Sequence, residues 1–349
     1  MKANKQIINR RSFIEKTVTL AAGLTLTREK LWGSPAYIQN LLKHNSNING
    51  VQIGLITYSF RAMKDQSAEA TLQYILDSGV NAIELMGSVA ESFVGKPENK
   101  MNRRIYSRLM RKEKKNDLSR NEKKELADLH LQKTSFDKEL DSWNKNRNAE
   151  DFVKLRNMYN DAGVEIYGFK PDYLLRKGNS DENISYAMQA GRALGASHVT
   201  IELPEDPTHS LKLGNLAQKN GIKIAYHGHT QQHINWWDTA LEQSESNVLN
   251  PDLGHYTAGG NTDTFEFIKK FNKKIYSMHI KDRKSLKNGQ DNMPFGMGDT
   301  PITQTLQLMR DNKYNFPATI EYEYKTPEES TIIEELKKCV TYCKNALDS

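Results

Sequence analysis

The chain has 349 residues, room for one large α/β domain or two small ones, and its 37% hydrophobic and 26% charged content is that of a soluble globular protein. No apolar run approaches the ~18 residues that a membrane span requires, which excludes an integral membrane segment. Net charge is +6, but residues 1–36 alone carry seven basic and two acidic side chains, so the remainder is left with +1. That is too little for a groove that tracks phosphates, and no nucleic-acid partner is expected.

The first segment, residues 1–46, reads as a leader. Arg10 and Arg11 precede Ser12, Phe13 and a short, threonine-containing apolar stretch. A basic region followed by a short apolar one is the order of an export signal, and the twin arginine resembles the Tat type. It implies a periplasmic or cell-envelope location; a basic tail without structure is the alternative.

From residue 51 onward, apolar β-rich runs alternate with helical patterns. Eight strands are expected, at 51–58, 81–86, 164–169, 197–203, 222–227, 247–253, 274–280 and 317–322. Helices are expected at 68–79, 182–195, 264–271 and 301–312, and glycines in DSGV, NDAGV, LGAS and KNGI mark helix ends before a returning strand. Eight βα units predict an α/β (β/α)8 TIM barrel over 47–349, with an open doubly wound sheet as the alternative. No GxGxxG turn follows the first strand, which weakens that alternative. Between the second and third strands, residues 96–150 break the rhythm: 100–150 hold fifteen basic and nine acidic residues and no glycine or proline. This predicts a charged helical insertion, either a solvated hairpin or a lid or subunit contact, the latter compatible with a homo-oligomer. Cys339 and Cys343 fall on the apolar stripe of a final helix and read as core residues, not as a disulfide or a metal pair.

In a TIM barrel the chemistry sits at the carboxyl ends of the strands. Those ends carry Glu84, Glu202, His227 and His229, Asp252 with His255, His279 with Lys281, and Glu321 with Glu323. His227 and His229, two apart at the end of a strand, point the same way. Burying that many charges costs several kcal/mol each unless a cation or hydrogen bonds compensate. One divalent ion held by mixed nitrogen and oxygen ligands accounts for the set, and Mn²⁺, Zn²⁺, Co²⁺ or Fe²⁺ suits it better than Ca²⁺.

NPDLGHYTAGG, SMHIKDR, NMPFGMGDTPI and ATIEYEY, in that order, resemble the xylose-isomerase-like TIM barrels described as sugar phosphate isomerases/epimerases, over roughly 51–347. The resemblance implies one divalent metal on an acid of the fifth strand, an aspartate of the sixth, a histidine of the seventh and a glutamate of the eighth. Carried over, these are Asp252, His279 and Glu321. The fifth-strand glutamate has no match; His227 stands near its place, with His229 beside it, and either could be the ligand. The resemblance further implies a small-molecule carbohydrate substrate, with proton removal α to a carbonyl by Glu202, Glu321 or Glu323, assisted by Lys281 or His255. Glu84, Trp236 and Glu323 are expected to contact substrate, although Glu323 could equally be a salt-bridged rim residue and the Trp236–Trp237 pair could be packing. No phosphate cradle is evident, which favours unphosphorylated keto sugars or keto-glycosides. Isomerisation, epimerisation and elimination from a 3-keto-glycoside share the first step. An endonuclease-like relative would need further histidines on strands two and three, which end in IELMG and YGFKPDY without them. A carbohydrate-binding barrel without catalysis is the remaining alternative.

Overall fold

Eight parallel strands form the centre: β1 (Val51–Ile56), β2 (Ala82–Met86), β3 (Glu165–Lys170), β4 (His198–Glu202), β5 (Lys223–His227), β6 (Asn247–Asn250), β7 (Met278–Ile280) and β8 (Ala318–Ile320). The computed structural model describes residues 45–171 and 173–349, so the segment expected to be a leader, residues 1–46, lies outside the described residues save for its last two positions. The strands run side by side in the order 6-5-4-3-2-1-8-7, all in parallel register. Parallel bridges Leu249↔Ile275 and Asp252↔His279 close the ring between β6 and β7. The expected barrel is therefore present, and residues Ser46–Ser349 make one compact unit.

The strands are apolar runs because both faces are covered: Ile53, Leu55, Ile83, Leu85, Val199, Ile224 and Ile280 are fully buried. Between strands the chain caps its helices locally. Ala68–Ser78 starts on Ser67, whose side chain accepts from Ala70 N, and Pro207–Asn220 starts on Asp206 with proline in its first turn. Ile332–Asp348 opens with a reciprocal Thr331–Glu334 capping box. The four glycines expected to end helices, Gly79, Gly163, Gly195 and Gly221, all have positive φ. Cys339 and Cys343 are buried, unbridged core residues. No described helix is long and apolar enough to cross a membrane.

The insertion is two helices, Arg103–Glu113 and Arg120–Asn146, joined by a turn that a Ser119–Glu122 capping box terminates. Leu109, Leu126 and Leu129 form a small core of their own, flanked by Ile105, Tyr106 and Met110. Burying those three leucines contributes about 1.5–3 kcal/mol each, which explains why so polar a segment folds. Two short features were not anticipated. Asn47–Ile48 pairs antiparallel with β1 across Asn49–Gly50, both at positive φ, and Asp282–Arg283 pairs with Asn292–Met293.

Candidate active site

Asp252, two residues past β6, N-caps the helix Leu253–Ala258: its Oδ1 accepts from His255 N at 2.8 Å. The other oxygen, Oδ2, is buried, takes no well-directed hydrogen bond and lies 3.1 Å from Lys281 Nζ. Across the barrel seam stands His279 on β7, fully buried. Its Nε2 is 2.8 Å from Glu84 Oε2, and its Nδ1 is 3.2 Å from Glu321 Oε2 and 3.9 Å from Asp252 Oδ2. Burial alone would strip the imidazole of its extra proton; the Glu84 and Glu321 carboxylates outweigh burial and raise its pKa to about 10. Burial works against Glu84 too, but His279 opposite holds that carboxyl down at about 2.

His227 ends β5. Its Nδ1 faces two acceptors, Asn250 Oδ1 at 2.8 Å and Asn250 O at 3.0 Å. An imidazole nitrogen between two acceptors must be the donor, so the Nδ1–H tautomer is fixed and Nε2 keeps its lone pair. Burial, reinforced by the Lys170 ammonium, lowers its pKa to about 4 and keeps the ring neutral. Asn250 then spends its amide on the other side, donating to Glu84 Oε2 at 3.1 Å and to Ser277 Oγ at 2.6 Å. Thus Asn250 and Glu84 stand behind His227 and His279, hydrogen-bonded to each other, and each orients one imidazole.

One donor atom from each of His227, Asp252 and His279 lies within 4.8 Å of the other two, and the same holds for Glu202, His227 and His229. The buried set fits a divalent ion: a free imidazole nitrogen, an undirected carboxylate oxygen, and a second imidazole with a carboxylate behind it. His279 must lose its extra proton to take part. Glu321, expected as the fourth ligand, is 3.2 Å from His279 and also 2.7 Å from Lys281.

Lys281 is the second centre of charge. Its ammonium lies 2.7 Å from Glu321, 2.5 Å from Glu323 and 3.1 Å from Asp252. Burial favours the neutral amine, but these three carboxylates hold it charged, with its pKa above the ordinary lysine value. Glu323 is therefore a salt-bridged wall residue. On the opposite wall Lys170, at the end of β3, is 3.1 Å from Glu202 Oε1, and His229 Nδ1 is 3.6 Å from Glu202 Oε2. Burial would raise the Glu202 pKa; His227, Lys170 and His229 together bring it to about 2. His255, half-buried, accepts from Arg283 Nη1 at 2.5 Å through Nδ1, which leaves its proton on Nε2. Burial, followed by the charge of Lys281, depresses its pKa to about 2.

These groups enclose a pocket of about 340 Å³ at the carboxyl ends of the strands, floored by His227, Lys281 and Glu321 and bounded by Tyr58, Met86 and Arg176. The volume suits one small polar molecule. A cavity of about 750 Å³ at the opposite end, among Tyr167, Ser197, Tyr276 and Tyr314, has no such converging cluster.

Of the residues singled out from sequence, Glu202, His227, His229, His255, Lys281, Glu321 and Glu323 line the pocket, and Asp252 and His279 lie directly beneath it. Glu84, expected to contact substrate, does not line the pocket. It is wholly buried in the middle of β2, where its Oε2 meets His279 Nε2 and accepts from Asn250. The tryptophan pair divides: Trp237 is fully buried against Phe267, while Trp236 lines a neighbouring groove and not the pocket itself. Lys170 and Asn250 were missed. Lys170 ends the YGFK run and Asn250 the NVLN run, both at the strand-end positions the barrel rule points to.

A sequence profile for the xylose isomerase-like TIM barrel matches residues 136–342, more than half of the chain. The chain belongs to this family. Among solved structures, the xylose isomerase-like barrel superposes on a xylose isomerase domain protein from Planctomyces limnophilus with a TM-score of 0.54 at 13% identity, covering 84% of this chain and 95% of that one. It is similar also to a sugar phosphate isomerase/epimerase from Parabacteroides distasonis (TM-score 0.51, 16% identity, 84% and 93% covered). The 3-keto-D-glucoside 4-epimerase YcjR from E. coli gives 0.51 at 10% identity, with 84% and 98% covered. At these identities the likeness establishes the fold alone. No curated protein sequence matches significantly.

Proposed function

We propose that this barrel is a metal-assisted enzyme that removes the proton α to the carbonyl of a keto sugar. The observation that carries the reading is the inner pocket: an ionised carboxylate and a buried ammonium face one sugar-sized space, and a two-histidine, one-aspartate donor set reaches it through His227. A divalent ion held by His227, Asp252 and His279, with Glu321 adjacent, would supply Lewis-acid polarisation of the carbonyl. The chain supplies the rest. Glu202, kept ionised by Lys170, takes the α-proton. Lys281 and the Nε2–H of His255 line the same pocket and would stabilise the negative charge that develops on the carbonyl oxygen. Return of the proton to the neighbouring carbon gives an isomer, and return to the opposite face an epimer. A second reading, elimination of a β-substituent, is favoured by His229, whose ring is 3.6 Å from Glu202 and placed to protonate a departing oxygen. Unphosphorylated substrates, and export through the twin-arginine leader to the periplasm or envelope, belong to the same proposal.

Turnover of a keto sugar in D₂O tests it. Solvent deuterium should appear at the α-carbon, or α-deuterated substrate should react several-fold more slowly. Glu202→Gln, which keeps shape and removes the base, should abolish the exchange. Product formed with neither label nor isotope effect would overturn the assignment.

A further inference from the structure

The inner pocket does not end at Glu202 and His229. The same two residues form one wall of a second groove, about 800 Å³, which runs outward between the loops that follow β4 and β5. The two spaces differ in chemistry. The inner one is charged on all sides, whereas the outer one is built of Trp236, Pro204, Pro207 and Ala240, with the amide of Gln231 and the hydroxyl of Thr239. Its carboxylates are Glu202 and Glu205 and it contains no lysine or arginine, so it does not suit an anion.

Trp236 is held ready as a flat surface. Trp237 packs edge-on against it at 4.5 Å and 70°, and Gly228 leaves the space its ring occupies: a Cβ there would come 2.5 Å from Trp236 Cζ3. A large amphipathic ring fixed before binding gives contact area at little entropic cost. Gln231 and Thr239 are exposed and engage in no side-chain hydrogen bond among the described residues, which leaves donors and acceptors beside the ring. An aromatic plate flanked by uncommitted amide and hydroxyl groups matches the two faces of a sugar ring, apolar C–H above and hydroxyl at the edge.

We propose that this groove is the subsite for the second unit of a two-unit neutral glycoside, whose reacting keto ring occupies the inner pocket and whose other ring stacks on Trp236. The inference rests on the keto-sugar reading of the inner pocket and adds the length and neutrality of the substrate. The glycosidic oxygen then lies at the seam, beside Glu202 and His229.

The test is calorimetric titration of the metal-loaded protein with 3-keto-cellobiose and with 3-keto-glucose. The wild-type protein should bind the disaccharide at least tenfold more tightly. Thr239→Trp, a substitution at an exposed position that fills the groove, and Trp236→Ala should each remove that preference, and Trp236→Tyr should retain most of it. Equal affinities in the wild type, heat from neither sugar, or a preference that survives both substitutions would overturn the subsite. Binding is read without turnover, so a wild-type preference with no α-proton exchange would sink the proposed reaction and leave the subsite standing.

Discussion

Asn250→Ala is the sharpest test of how the site is held. The side chain is fully buried and makes three hydrogen bonds: from His227 Nδ1 at 2.8 Å, to Glu84 Oε2 at 3.1 Å and to Ser277 Oγ at 2.6 Å. The bond to an ionised carboxylate is worth roughly 1.5–3 kcal/mol and the Ser277 bond about 0.5–1.5 kcal/mol. The His227 share is discounted, because the backbone carbonyl of residue 250, 3.0 Å from Nδ1, survives the substitution. The sum is a loss of about 2–4.5 kcal/mol, a large part of the ~5–15 kcal/mol by which domains are stable, and urea unfolding should show it. Metal affinity should fall with it, about 10–100-fold, because both imidazoles lose part of their orientation. Asn250→Asp separates hydrogen bonding from packing: it keeps volume and an acceptor for His227 but places an anion against Glu84, so it too should destabilise. A loss below ~1 kcal/mol in both variants, with metal affinity unchanged, would refute the positioning role.

Asp252→Ala should reduce retained Mn²⁺ or Zn²⁺ to well under one equivalent after dialysis, measured by elemental analysis; a full equivalent retained removes His227, Asp252 and His279 as the site. For pH, the sign follows from the depressed Glu202 pKa of about 2: the carboxylate persists as pH falls and is lost only near that value, so Glu202 should not set an acid limb of kcat/KM above it. Lys170→Met deletes the ammonium 3.1 Å away, and the limb due to Glu202 should move towards neutrality; an unmoved profile would show that Lys170 does not act on Glu202. Residues 1–46 fused to a reporter should direct it out of the cytoplasm, and replacement of Arg10 and Arg11 by lysines should stop this; a reporter retained in the cytoplasm with the intact leader would leave the segment a basic tail.

The barrel was legible because a strand buried on both faces writes itself as an unbroken apolar run, and the glycines that end the helices mark the return. The strand ends were less so. The eighth was expected to run to residue 322 and ends at Ile320; the sixth was expected to reach 253 and ends at Asn250. In both cases the regular strand stops just short of the acid, and Asp252 keeps only an isolated parallel bridge to His279. Two-residue pairs such as Asn47–Ile48 carry no periodicity, and only the Asn49–Gly50 turn advertises one. Within the site, histidines and acids stood out, whereas an asparagine at a strand end looks neutral until its neighbours across the barrel are known. Glu84 shows the limit of alternation. Period two gives the face on which a side chain points, not its depth, and the third of five residues in a strand lies a layer below the last.

That buried layer is itself an argument for chemistry. A TIM barrel interior is ordinarily packed with branched apolar side chains, yet here Glu84, Asp252, His279, Lys281 and Glu321 share the interior at 7% exposure or less. Each buried ion costs several kcal/mol in desolvation, recovered only through close pairing. The pairing is close: His279 touches two carboxylates and Lys281 three. With His279 and Lys281 charged, the five groups sum to one negative charge, and Glu323 at the wall adds another. An excess of carboxylate beside an imidazole whose lone pair is held free by Asn250 is the donor chemistry that the proposed divalent ion would use.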